Sequence, residues 1–400
     1  MIPSQQKSDP PDSPGSVGWT ESATCRLFDE GNPFPLESGG FLSPVDMEYE
    51  TYGQLNATRS NAILILHALS GDAHVAGWDR NWKKTGRSWR AQKPGWWDAM
   101  VGPGKPIDTR RFFVLCANVL GSCCGTTGPS SLNPKTGIPY GTRFPAVTVG
   151  DWVTLQARLL DVLGIQELFA VTGGSLGGQQ ALEWAMAFPD RVRRVLVLAA
   201  SARLSVQGLA FNAVGRYSIL QDPRFHGGDY YGEAQGPSSG LAAARMLAHI
   251  TYLSEEGMHR KFGRRLNNRE SPEFSFGTEF EVESYLDHQG RAFVKRFDAN
   301  SYLYITRAMD YYDASEKWGG GDLVAACRRV RSQMMILSFA SDWLYPPTHV
   351  RDLALALCRV GRPVTYVNVP SSTGHDAFLI ETEAVGGLIR PFLECPESAL

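Results

Sequence analysis

A serine set among glycines, Gly173-Gly174-Ser175-Leu176-Gly177, follows the apolar run Leu168 to Thr172 and precedes a helical pattern that opens near Gly178. A tight strand-to-helix turn of this composition forces the serine hydroxyl outward. Glycines stand on both sides because a side chain there would collide with the neighbouring strand or helix. The turn also sets the hydroxyl at a helix N-terminus, where backbone N–H groups and the dipole favour developing negative charge. A Gly-rich connecting loop and a phosphate-binding loop are the competing readings of such a segment, but neither brings the partners found downstream.

A serine hydroxyl is a poor nucleophile until a base takes its proton, and on this kind of scaffold an acid and then a histidine should follow, each after a late strand. Asp342 stands just past the run Met334 to Phe339, and His375 just past Val364 to Val369. His375 would accept the Ser175 proton and return it; Asp342 would fix the imidazole tautomer and stabilise its charged form. The segment His67-Ala68-Leu69-Ser70-Gly71 follows the first clear strand, where the second oxyanion donor is expected, so the backbone N–H groups of Leu69 and Leu176 are assigned to the tetrahedral intermediate. His67 itself reads as structural. His74, His226, His249, His259, His288 and His349 show no spacing for metal or catalysis.

The frame that must hold these residues is legible as short, nearly continuous apolar runs, the pattern of strands buried on both faces of a parallel sheet. They are Ala62 to His67, Phe112 to Ala117, Leu168 to Thr172, Val195 to Ala199, Met334 to Phe339 and Val364 to Val369. Helical patterns at Val149 to Leu163, Gln179 to Phe188 and His349 to Cys358 alternate with them, which predicts an open, mostly parallel α/β sheet with helices on both faces. After Ser201 the pattern turns helical, over Leu209 to Leu220, Leu241 to Leu253 and Phe280 to Asp313. The expected organisation is a flexible tail over 1–24, a catalytic domain over 25–201 and 326–400, and an inserted helical lid over 202–325.

Composition sets the outer bounds. The 400 residues hold 39 Lys plus Arg against 41 Asp plus Glu, a net charge of −2 with no dense basic stretch, which argues against nucleic-acid binding. No apolar run reaches the length of a membrane span. Met1 to Gly18 is polar and carries Pro10, Pro11 and Pro14, unlike a secretory signal. Seven scattered cysteines without metal-ligand spacing fit a reducing cytoplasm, and Cys123-Cys124 reads as a pair of small buried hydrophobes.

Several separated segments resemble the homoserine O-acetyltransferase family, which has the α/β-hydrolase fold. They are His67 to His74, Pro94 to Asp98, Gly125 to Ser131, Gly173 to Gly178, Phe297 to Leu303 and Gly374 to Leu379, so the likeness runs from roughly residue 25 to 394. The resemblance implies a ping-pong acyl transfer. Ser175 takes the acyl group from acyl-CoA, CoA leaves, and the hydroxyl of homoserine attacks the acyl-enzyme to give O-acyl-homoserine, a methionine precursor.

It further implies that Arg245 holds the amino acid's carboxylate and Asp376 its ammonium, with Tyr252 and Ser70 as further substrate contacts. A guanidinium fork suits a carboxylate, and an acid suits an ammonium. Related enzymes use succinyl-CoA, some with serine as acceptor; an arginine two residues past the aspartate is expected in those, where this chain has Leu344. That departure points to acetyl-CoA. The family also implies a homodimer paired through the lid helices, with acyl-CoA as a substrate and neither a bound cofactor nor a metal. A serine esterase or thioesterase, and a non-catalytic binder on the same scaffold, are the rival readings of the same residues.

Overall fold

The computed structural model describes residues 11–91 and 93–396. Eight strands build one sheet: β1 (Ala23–Phe28), β2 (Val45–Tyr52), β3 (Ala62–Leu66), β4 (Phe113–Ala117), β5 (Leu168–Gly174), β6 (Val192–Leu198), β7 (Gln333–Phe339) and β8 (Val364–Val369). Their spatial order is β8-β7-β6-β5-β3-β4-β2-β1. From β4 to β8 all pairs are parallel, while β2 runs antiparallel to β4 and β1 antiparallel to β2.

Strand β3 explains why the centre reads as unbroken apolar sequence. Leu64 and Leu66 point into one core layer and Ile63 and Ile65 into the other, and all five of its residues are buried. Helices α1 (Val149–Val162) and α2 (Leu176–Ala187) cover the first face through Trp152 and Trp184. A capping box fixes the start of α1: the Thr148 side chain accepts from Asp151 N–H while the Asp151 carboxylate accepts from Thr148 N–H.

Between β6 and β7 the chain runs through α3 (Val206–Leu220), α4 (Ser238–Tyr252), α5 (Glu255–Phe262), α6 (Glu281–Val294), α7 (Ala299–Tyr311), α8 (Ala314–Gly319) and α9 (Leu323–Cys327). The helix expected over Phe280 to Asp313 is two helices. Asp298 divides them, because its carboxylate accepts from Ser301 N–H at 2.8 Å and starts α7 afresh. The chain then forms α10 (Pro347–Arg359) between β7 and β8, and closes with α11 (Ala377–Ile380) and α12 (Thr382–Glu394). Val385, Ile389 and Phe392 of α12 line the second core layer.

Two expectations need correction. The antiparallel pair β1 and β2 was not foreseen, because β2 alternates apolar residues with Asp46, Glu48 and Glu50 rather than running apolar throughout. The tail expected over 1–24 is ordered in part of its described stretch, since Trp19–Thr20 pairs in parallel with Trp78–Asp79 and β1 begins at Ala23; residues 1–10 lie outside the described residues. Among the described residues, no helix is long and apolar enough to cross a membrane.

Candidate active site

Ser175 closes β5 and opens α2 at φ 58° and ψ −124°, a backbone conformation that side-chain-bearing residues rarely adopt. Its N–H donates to Leu198 O at the end of β6 (2.9 Å), which ties the turn to the sheet. The surrounding glycines are steric necessities. A Cβ on Gly177 would stand 2.1 Å from the Leu66 carbonyl oxygen, and one on Gly173 would stand 2.5 Å from the Gly177 carbonyl carbon. The helix must approach the strands this closely for the serine to project from the turn.

His375 follows β8, and its Nδ1 donates to Asp342 Oδ2 at 2.8 Å. The other Asp342 oxygen accepts the N–H groups of Leu344 (3.0 Å) and Tyr345 (2.9 Å), so the carboxylate is held from three sides. The Tyr345 ring stacks on the imidazole at 5.3 Å and Phe378 meets it edge-on at 5.9 Å. Burial disfavours the imidazolium, but the Asp342 charge and hydrogen bond outweigh it and raise the His375 pKa above its ordinary value. His375 Nε2 is buried with no hydrogen-bond partner among the described residues, and Ser175 and His375 line the same cavity without a hydrogen bond between them. A closer Ser–His approach in the substrate-bound state is the ordinary behaviour of such pairs.

That cavity, of ≈ 350 Å³, brings together Leu69, Ser70, Arg245, Tyr252 and Asp376, all singled out from the sequence. Arg245 projects from α4; its Nη1 reaches Ser70 Oγ at 3.4 Å, and its Nε is buried without a partner. The guanidinium lies over the rings of Phe293 (4.7 Å) and Tyr252 (5.5 Å). The Asp376 carboxylate forms no ion pair or hydrogen bond with a described residue; burial raises its pKa, against the pull of His375 and Arg245. Asp376 N–H donates to Tyr252 O (3.2 Å), so the end of α4 and the histidine loop are joined directly.

The backbone donors assigned to an oxyanion are placed apart in sequence and close to the turn. Leu69 lines the cavity, whereas the Leu176 side chain is fully buried in the core and offers only its N–H, the first of α2. Neither N–H donates to another described residue.

Beside Leu69 the cavity is also lined by Asp72 and Arg90, whose charges are paired: Arg90 pairs with Asp72 (2.6 Å) and Asp79 (3.0 Å), and Arg87 pairs with both oxygens of Glu48 (2.7 and 2.8 Å). Burial alone would raise the Asp72 pKa, but Arg90, then His74, bring it down to about 2.

Other expectations resolve individually. His67 is buried, with Nδ1 donating to Ala68 O (2.8 Å) and Nε2 accepting from Val119 N–H (3.2 Å), so it is held as a neutral ring. Leu344 is half-buried against the core and does not line the cavity; its N–H serves Asp342.

Arg296, which lines the cavity beside Arg245, was not singled out from the sequence, nor were Trp89 and Lys93, which line it too. The signal for Arg296 was its place directly before the Phe297 segment.

A nucleophile-type serine on a strained strand-to-helix turn, with aspartate and histidine on loops after later strands of this sheet, defines a protein of the α/β-hydrolase fold. The family model of that fold matches residues 61–382. The chain is 53% identical over 365 residues to homoserine O-succinyltransferase of Alkalilimnicola ehrlichii, covering 91% of the chain and 92% of the relative. It is 49% identical over 373 residues to homoserine O-acetyltransferase of Rhodopseudomonas palustris, covering 93% and 91%.

Among solved structures, homoserine O-acetyltransferase from Bacillus anthracis matches with a TM-score of 0.84 at 28% identity, over 94% of this chain and 97% of that one. An esterase matches with a TM-score of 0.83 at 31% identity, over 94% and 100%. The chain belongs to the family of homoserine O-acetyltransferases and O-succinyltransferases, acyltransferases of the α/β-hydrolase fold.

Proposed function

We propose that this enzyme transfers an acetyl group from acetyl-CoA to the hydroxyl of L-homoserine. One observation carries the reading: a single cavity places an unpaired acid, Asp376, and an arginine without a carboxylate partner, Arg245, beside Ser175 and His375. An α-amino acid brings an ammonium and a carboxylate on one carbon and would complete both. An esterase of neutral substrates has no need for that pair of charges.

Ser175 Oγ attacks the thioester carbonyl as its proton passes to His375 Nε2, and the N–H groups of Leu69 and Leu176 receive the oxyanion. Collapse expels CoA, whose sulfur takes the proton from His375, and leaves an ester on Ser175. The homoserine hydroxyl then gives its proton to His375 and attacks the ester carbonyl. The second collapse returns the proton to Ser175 Oγ and frees O-acetyl-homoserine. Acyl-CoA thus enters as a substrate and not as a resident cofactor.

Succinyl-CoA is the second donor to consider, supported by the 53% identity to a homoserine O-succinyltransferase; Leu344 in place of an arginine favours acetyl-CoA. A cytoplasmic enzyme of methionine biosynthesis fits these substrates. A homodimer is supported by the outer face of α3, where Val206 (82% exposed), Val214 (54%) and Tyr217 (64%) form an apolar stripe at helical spacing. Light scattering at micromolar concentration should give twice the chain mass, and a monomer mass would remove that part.

The covalent step is tested by peptide mass spectrometry after mixing with acetyl-CoA. The reading expects an acetyl group on the Ser175 peptide that homoserine discharges. A label elsewhere, or one that only water removes, would contradict it.

A further inference from the structure

Arg296 sits in the turn between α6 and α7 and lines the same cavity as Ser175. Its Nη1 donates to the Ser70 backbone carbonyl at 2.9 Å, and its guanidinium lies 5.1 Å from the centre of the Phe293 ring. Arg245 lies on the same ring, 4.7 Å from its centre, and reaches the hydroxyl of the same serine. Two guanidiniums are therefore gathered around Ser70 and Phe293.

No carboxylate among the described residues pairs with either of them. The acids within electrostatic range of Arg296 or beside it in the chain are already committed. Asp72 is held by Arg90 at 2.6 Å, and Asp298 accepts from the hydroxyls of Tyr230 (2.7 Å) and Tyr231 (3.0 Å). Burial, and then the neighbouring charge of Arg245, lower the Arg296 pKa. Asp376, in the same cavity, feels the charge of Arg245 but pairs with neither arginine, and two like charges gathered on one ring are costly unless an anion enters between them.

We infer that Arg296 and Arg245 form a two-guanidinium cradle for one substrate carboxylate, which makes Arg296 a substrate-binding residue in its own right. Planar guanidinium forks from two elements, the α4 helix and the α6–α7 turn, grip a carboxylate from two sides and fix its plane. The carboxylate could be the α-carboxylate of the acceptor amino acid or the terminal carboxylate of a dicarboxylic acyl donor. The compact grouping of Arg245, Arg296 and Asp376 in one cavity favours the acceptor.

This inference rests on the proposed acyl transfer, and the test separates the two. Steady-state kinetics are measured for wild type, Arg296→Lys and Arg296→Met with acetyl-CoA and with succinyl-CoA, homoserine being varied. Loss of a charge-assisted hydrogen bond predicts a rise of about tenfold or more in the homoserine KM for Arg296→Met, with a smaller change in kcat and an intermediate value for Arg296→Lys.

A rise with both donors assigns the cradle to the acceptor. A loss confined to succinyl-CoA turnover assigns it to the donor. A homoserine KM and a succinyl-CoA KM both within about twofold of wild type would overturn the inference. So would a fall in kcat alone that tracks a lower thermal unfolding midpoint, because that describes a structural arginine. A wild type that releases no CoA in the presence of homoserine would instead sink the functional reading.

Discussion

His375 and Asp342 are joined through Nδ1 and Oδ2 at 2.8 Å, while the second oxygen of Asp342 is occupied by two backbone N–H groups. The aspartate cannot rotate without breaking three hydrogen bonds, so the imidazole is fixed with Nδ1 protonated and Nε2 free to act as a base.

We predict that Asp342→Asn lowers kcat by roughly a thousandfold to ten-thousandfold, because an amide can donate to Nδ1 and favour the wrong tautomer. The pH profile gives a second check. In wild type the His375 pKa is raised, so kcat/KM should fall on the acid side with an apparent pKa above the ordinary histidine value. In the variant the Asp342 charge is gone and only the weaker pull of Asp376 opposes burial, so the limb should move to lower pH. The same linkage says that the Asp342–His375 pair stabilises the fold most below the ordinary histidine pKa and loses that contribution as pH rises through the folded value. An acid limb at the same pH in both proteins would sink the assignment.

The elbow stores strain that glycine would release. Ser175→Gly should abolish acyl transfer yet be more stable than Ser175→Ala by about 1 kcal/mol after allowing for glycine's larger unfolded entropy, which appears as a higher thermal midpoint. Gly177→Ala should do the reverse of a stabilising change, since its Cβ would meet the Leu66 carbonyl at 2.1 Å and backbone has nowhere to go. Differential scanning calorimetry on the three variants decides this; equal midpoints for Ser175→Gly and Ser175→Ala would mean the turn carries no strain.

Arg90, which lines the cavity, neutralises the buried acids Asp72 and Asp79. Arg90→Met leaves both acids buried without their cation and should cost about 3–5 kcal/mol in chemical denaturation. The loss has a pH signature. With a folded pKa of about 2, Asp72 contributes its stabilisation above the ordinary carboxylate range and loses it as pH falls toward that value. Wild type should therefore lose stability between about pH 4 and pH 2 more steeply than Arg90→Met, and parallel acid titrations of the two would contradict the account.

Leu344 does not line the cavity, but its N–H donates to Asp342, so a substitution here falls two residues from the acid paired with His375. Leu344→Arg is predicted to shift the ratio of kcat/KM values toward succinyl-CoA by about tenfold, the size of one added charge contact. Unchanged donor ratios would remove Leu344 from donor selection.

How much of this was legible in the sequence depends on what each residue answers to. Strands such as β3 and β7 are buried on both faces, so their own composition announces them, and the serine turn is legible because its glycines answer to contacts within a few residues. Strand β2 was hidden because its Glu48 and Glu50 are buried against Arg87, Arg90 and His74, partners that come 24 to 40 residues later. Arg296 was hidden for a related reason. Beside Lys295 it resembles a solvated surface arginine, and only the folded α6–α7 turn carries it to Ser70, 226 residues earlier in the chain. The break at Asp298 was missed because apolar spacing continues across it, while the cap that makes the break is a single carboxylate.

The most direct test of the central claim is CoA release by purified enzyme with acetyl-CoA, comparing homoserine, serine and no acceptor, with Ser175→Ala as control. The account predicts release that requires homoserine, is several-fold faster than with serine, and disappears in the variant. Equal release without an acceptor would make the enzyme a thioesterase and contradict it.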